Sequence, residues 1–167
     1  MNITSFKEAC IALGLNYNDA TFAANYTNRI SKSSAAMFKL NIIRKALNLG
    51  QSLHFAKNPE NSYIYHPYNP LITENSDYYK SELSSGQMGV IGKVRIEGTL
   101  YKVLGGDSFI GTTGLGCFSS VYGTCSADTG IGFLGCASKK IAQHLGKYFG
   151  MLITEAKYGD MVDFEII

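Results

Sequence analysis

Chemistry in this chain would have to come from His54, His66 and His144, from Cys117, Cys125 and Cys136, from Ser119 beside them, or from Asp107 and Asp128. The cysteines follow one another at separations of eight and eleven residues, without the short Cys-x2-4-Cys knuckle that fixes a tetrahedral zinc site. Redox work would need a Cys-x-x-Cys pair or a thiol activated by a cation, and neither pattern is present. Ser119 or Cys136 as a nucleophile would need a histidine brought close by the fold, and no nucleophile elbow surrounds either. Asp107 and Asp128 each stand next to Ser or Thr, where Asx-type turn bonding is the ordinary role of an aspartate. Gly105, Gly106 and Gly111 could turn backbone amides toward a phosphate. Yet neither a Lys-Ser/Thr pair nor a helix start follows them. The expectation is a protein that is not an enzyme, with no catalytic residue, no metal and no cofactor.

The stretch 104–136 remains to be explained, since it holds nine of the eighteen glycines. Glycine permits positive φ, and Ser and Thr bond nearby backbone. Phe109, Leu115, Phe118, Val121, Ile131 and Phe133 supply apolar anchors. A long pinned loop system follows from this, of the kind on which binding surfaces are carried, with Asp107, Phe109, Tyr122 and Asp128 as candidates for display.

The elements that would position such loops are legible from caps and periodicity. Ser5-Phe6-Lys7-Glu8 is a capping box opening a short helix that should end at Gly14. Asn18 or Asp19 can cap a second helix through Tyr26, and Ser31 to Ser34 a third running to about Leu49 and closed by Gly50. In the third, Ala36, Leu40, Ile43 and Leu47 share a side that Phe38, Ile42, Ala46 and Leu49 widen, so it must be covered on two sides. "SYIYHPYNPLI" reads as a strand ended by Pro67, and 69–87 as a polar loop. "MGVIGKVRIEGTLYKVLGG" reads as a hairpin turning at Glu97-Gly98. Ser138 caps a final helix with Ile141, Leu145, Phe149, Leu152 and Ala156 on one stripe. Gly146 and Gly150 in it point to close packing against another backbone.

The predicted fold class is α+β: N-terminal helices and a C-terminal amphipathic helix packed on a mainly antiparallel sheet, with a long Gly-rich loop region. Residues 1–58 would form a helical lobe and 59–167 the α+β core, together one compact domain. A net charge of +2 gives no strongly basic field, so nucleic acid is not expected as a partner. Charge is nonetheless segregated. Arg29, Lys32, Lys39, Arg44, Lys45 and Lys57 lie between Ala20 and Pro59 without one acid, whereas Glu155, Asp160, Asp163 and Glu165 crowd the C-terminal end. No apolar run reaches the ~20 residues of a membrane span, and "MNITSFKEAC" lacks the order of a signal peptide, so a cytosolic chain with reduced thiols is expected.

The succession "SFKEACIALGL", "FKLNIIRKALNLG", "SYIYHPY" and "YKVLGGDSFIGTTGLGCFSSVYGTCSADTGIGFLGCASKKIAQHLGKYF" resembles a family of proteins of phages that infect Bacteroides and other gut Bacteroidetes, including crAss-like phages. The likeness runs over nearly the whole chain, on packing and turn positions. It implies a virion structural protein, made in the host cytoplasm and built into the particle as a capsid-decorating, head-fibre or tail-associated component. Its partners would be phage capsid or tail proteins and further copies of itself, with a host-surface glycan as a further candidate. Arg44, Lys45 and Lys39, then Tyr63, Tyr65 and Tyr68, are the candidates for docking, tyrosine giving large contact area at small entropic cost. Two alternatives stay open: a non-virion phage protein that binds host or phage machinery, and a small enzyme acting on a glycan or nucleotide. Gly105, Gly106, Gly114 and Ile131-Gly132-Phe133 are also similar to the closing segment of C-type-lectin-like and formylglycine-enzyme-like folds. Leu134 stands where those folds carry arginine, and no binding residue is carried over.

Overall fold

Ser5 starts the first helix through its capping box. Its hydroxyl accepts from the Glu8 amide at 3.2 Å, and the Glu8 carboxylate accepts from the Ser5 and Thr4 amides at 3.0 and 2.7 Å. These bonds hold the Glu8 carboxyl below its ordinary pKa, the Thr4 amide contributing most. The structure, a computed structural model, describes residues 3–49, 63–67, 69–106, 116–119 and 135–167. α1 spans Phe6–Ala12 and is followed by Gly14 at φ 67°, as the glycine predicts. The cap of α2 (Tyr17–Asn28) is Asn16, earlier than the predicted Asn18 or Asp19. Its side-chain oxygen accepts from both of their amides, at 2.9 and 3.4 Å. α3 (Lys32–Leu47) begins where Ser31 accepts from the Ser34 amide, and it buries Ala36, Leu40, Ile43 and Leu47 as their spacing requires.

β1 (Tyr63–His66) stops before Pro67 and pairs antiparallel with β5 (Gly116–Ser119). Residues 69–87 are not a plain loop. They contain β2 (Leu71–Thr73), antiparallel to β4, and the single-turn α4 (Lys80–Ser84). β3 (Met88–Ile96) and β4 (Thr99–Gly106) form the predicted hairpin, with Glu97 and Gly98 both at positive φ, 49° and 79°. Positive φ at both central residues gives the turn a twist that matches the flanking strands. Gly105 and Gly106 thus continue a strand, opposite Gly89 and Met88, rather than forming a turn. A two-residue β6 (Glu165–Ile166) closes a four-stranded antiparallel sheet in the order β2-β4-β3-β6. The chain is therefore an α+β fold with an antiparallel sheet, as its pattern predicts.

α5 (Lys139–Tyr158) is the central element, capped by Ser138. On one side Leu145, Phe149 and Ile153 join Leu40, Ile43 and Leu47 of α3 in the largest core. On the other, Met151 and Tyr158 pack with Val94, Ile96, Val103 and Phe164 of the sheet region. The N-terminal helices thus meet the sheet through α5 instead of lying on it, which answers the requirement that α3 be covered on two sides: α5 takes one, α1 and α2 the other. Strand alternation sends Leu104 to the opposite face, where Ile72 and Met88 pack with Tyr79 and Leu83 around α4.

The suspicion attached to Gly150 has a specific cause, but it is side chains and not a backbone that approach. A Cβ there would lie 2.6 Å from Nδ2 of Asn69 and closer still to Cδ1 of Ile91. The helix kinks at Phe149 (φ −123°, ψ 15°), and the Thr154 hydroxyl donates to the Gly150 carbonyl at 2.9 Å. The Asn69 side-chain amide donates to Leu104 O at 3.0 Å and to Gly146 O at 3.1 Å, tying α5 to β4.

Candidate docking surface

Among the residues marked for docking, Arg44 is turned inward. Its Nη1 donates to Gly135 O at 3.4 Å, while Nε is buried with no hydrogen-bond partner among the described residues. Asn48 completes this fastening: its Nδ2 donates to the same carbonyl at 3.4 Å, and its Oδ1 accepts from the Ala137 amide at 2.8 Å. The C-terminal end of α3 thereby holds the entrance to α5, and Cys136 is buried there. Lys45 is exposed and Lys39 half-buried. Tyr63 and Tyr65 lie on β1 opposite Ser119 and Cys117. Their side chains, together with Tyr68, Asp107, Phe109, Tyr122 and Asp128, lie outside the described residues.

The structure presents a surface that sequence reasoning missed. α2 faces α3 with two alanines, Ala20 and Ala24, both buried. Residues two positions along a helix point roughly 200° away from them, so Phe22 and Tyr26 point outward, and Ile30, in the turn after α2, is exposed as well. They are 74%, 60% and 81% exposed. Helical spacing ordinarily marks such residues as core, and three large apolar side chains left in water ask for a cover.

Ile30 is followed by a joint between the start of α3 and the C-terminal tail. The next residue, Ser31, donates from its hydroxyl to Asp160 Oδ2 at 2.5 Å, and the Ser33 amide donates to Oδ1 at 3.3 Å. In return the Asp160 amide donates to Ser33 Oγ at 3.2 Å. The Ser31 hydroxyl, with the Ser33 and Lys32 amides behind it, holds the Asp160 carboxyl below the ordinary aspartate range. Immediately beyond Asp160 come Met161 and Val162, both exposed, Val162 at 70%. The tail is fixed from the far side by buried Phe164 in the sheet core and by the Arg95 ion pair to Glu165.

Charges of both signs border these residues. Asp19 in the first turn of α2 and Arg29 at its C-terminal cap are both exposed. Asp160 and Asp163 flank Met161 and Val162, with Asp163 exposed at φ 57°. Lys32 sits at the junction, and Lys157 lies 5.1 Å over the Tyr158 ring. Two grooves adjoin the surface. One, of about 490 Å³, runs between the helices past Thr27, Ser34, Phe38 and Ala156. The other, of about 330 Å³, opens at the hairpin end of the sheet past Glu97, Thr99, Tyr101, Tyr158 and Met161.

Among the described residues, no three His, Cys, Asp or Glu side chains group closely enough to hold a metal ion, and no helix is long and apolar enough to cross a membrane. No protein-family model, curated protein or solved structure matches this chain.

Proposed function

We propose that this chain is a structural component of a bacteriophage particle, a capsid-decorating, head-fibre or tail-associated protein that acts in assembly and adhesion. The observation that carries the reading is the set of large apolar side chains left exposed, Phe22, Tyr26 and Ile30 before the Ser31–Asp160 bond and Met161 and Val162 after it, on a backbone that this bond and the helix cap fix in place. A protein that works by covering such a surface works by association. The sequence likeness to phage proteins supplies the kind of assembly. For adhesion, the groove at the hairpin end has a lining that suits a sugar ring: Tyr101 and Tyr158 with apolar Leu71, Ile96 and Met161, and polar Glu97 and Thr99.

Mass spectrometry of purified particles tests this. The reading requires the chain in stoichiometric amount with the capsid or tail proteins. Absence from particles, with recovery in a host or phage enzyme complex, overturns it in favour of a non-virion interaction protein.

A further inference from the structure

The groove at the hairpin end lies where two elements stop. Leu71, Ile96 and Tyr101 belong to the sheet face that packs on α5, and α5 ends at Tyr158. Tyr101 and Tyr158 are left half-buried, and with exposed Met161 of the tail they line a cavity of about 330 Å³. That is the small end of ligand sites, roughly 300–1,000 Å³, and suits one or two rings. Its polar lining has an unusual member. Glu97 is the first central residue of the hairpin turn and holds φ 49°, where such a turn ordinarily takes asparagine, aspartate or glycine. Backbone strain of this kind gathers at sites where the side chain has work to do. The Glu97 amide donates to Val162 O at 3.2 Å, which fixes the turn against the tail, and Glu97 lines the groove together with Thr99.

Charge narrows the occupant. Lys157 lies 5.1 Å over the Tyr158 ring, so that ring already faces a cation and a second one would be repelled. The Glu97 carboxylate disfavours an anion. A wholly apolar ligand would cover Glu97 and offer it no donor. An uncharged ring with one apolar face and several hydroxyls meets all three conditions: its C–H groups lie against the tyrosines, and its hydroxyls donate to the carboxylate. We infer that the groove is a saccharide site that takes an uncharged pyranose and discriminates against acidic sugars. The inference deepens the adhesion part of the proposed function, and it rests on that reading only for the place where binding serves.

Amide NMR spectra of the labelled full chain test it, titrated with the methyl pyranosides of glucose, galactose, mannose and N-acetylglucosamine and with methyl glucuronide and galacturonide. At least one uncharged pyranoside should give saturable shifts at residues 96–101 and 158–162, and the uronides should bind on the order of tenfold more weakly or not at all. Glu97→Asn supplies the Asn-Gly pair that the turn favours, so it should raise the melting temperature while weakening that binding on the order of tenfold. A side chain that only shapes the turn would change stability alone. Tyr158→Leu keeps apolar volume in the sheet core, and loss of the aromatic face should weaken binding by a similar factor in a natively folded chain. No saturable shift with any pyranoside, shifts that map outside the groove, uronides bound as tightly, or undiminished binding by Glu97→Asn overturns the inference. None of these results alters the particle composition measured above, so the two readings fail separately.

Discussion

The hydroxyl of Ser31 donates to the carboxylate of Asp160 at 2.5 Å, joining residues 129 apart in sequence. Ser31 is also the residue that caps α3, accepting from the Ser34 amide at 2.9 Å. One side chain therefore both starts a helix and fastens the end of the chain to it. Exposed Ile30 precedes this joint and exposed Met161 follows it.

Replacing Asp160 with Ala should lower the melting temperature by a few degrees at neutral pH. The folded carboxyl is held below its ordinary pKa, so its stabilisation is complete above the unfolded value of about 4 and is lost as pH falls through the lower folded value. Melting curves of variant and wild type should accordingly converge in acid. A gap that persists undiminished at the acid end would show that the carboxylate is not the source.

Phe164 is the anchor of the tail, buried among Val94, Ile96 and Val103. Phe164→Ala should cost about 3–5 kcal/mol in urea unfolding, the range for truncating a buried aromatic. It should also free Met161 and Val162 to move, read as faster amide hydrogen exchange in the tail. A cost below about 1 kcal/mol would show that Phe164 does not hold the tail.

Gly150→Ala sets two effects against each other. Helix propensity favours alanine by about 1 kcal/mol, whereas intrusion into a packed site costs about 1–3 kcal/mol. Here the new methyl group meets the Asn69 amide, which is held by two carbonyls and cannot withdraw freely. Net destabilisation of about 1 kcal/mol is expected, read from thermal or urea unfolding. Gly92→Ala should cost less, since the atoms in its way are the flexible thioether end of Met151.

Burial pushes the Cys136 thiol up to about 12, although the Arg44 charge pulls the other way. Peptide-resolved alkylation at mildly alkaline pH should leave Cys136 unmodified in the native protein and modify it on unfolding. The linkage has a definite sign. Between the ordinary thiol value of roughly 8.5 and about 12, the unfolded thiol has lost its proton and the folded one has not, so this group removes stability as pH rises. Cys136→Ser should flatten that part of the pH–stability curve.

What could be read from sequence was mostly local. Ser5 with Glu8, Glu97-Gly98 and Ser138 each dictate their own backbone through bonds or φ preferences within four residues, and all three stand where expected. Elements that owe their existence to distant partners were not legible. β6 is two residues long and carries a charged residue, so only pairing with Val94 and Arg95 makes it a strand. β2 likewise depends on β4, and α4 starts at Tyr79 in a left-handed conformation with no side-chain cap. Arg44 looked like a free cation because Gly135, its hydrogen-bond acceptor among the described residues, is 91 residues away. The docking surface was hidden for a related reason. Phe22, Tyr26 and Ile30 have the spacing of a buried stripe, and only the packing of Ala20 and Ala24 on α3 shows that the large side chains are the ones left outside.

A density map of the assembled phage particle would examine the assembly reading directly. It should contain this chain with Phe22, Tyr26 and Ile30 of each copy covered by a neighbouring protein. A particle without the chain, or one in which the α2 face of every copy lies open to solvent, would contradict that arrangement.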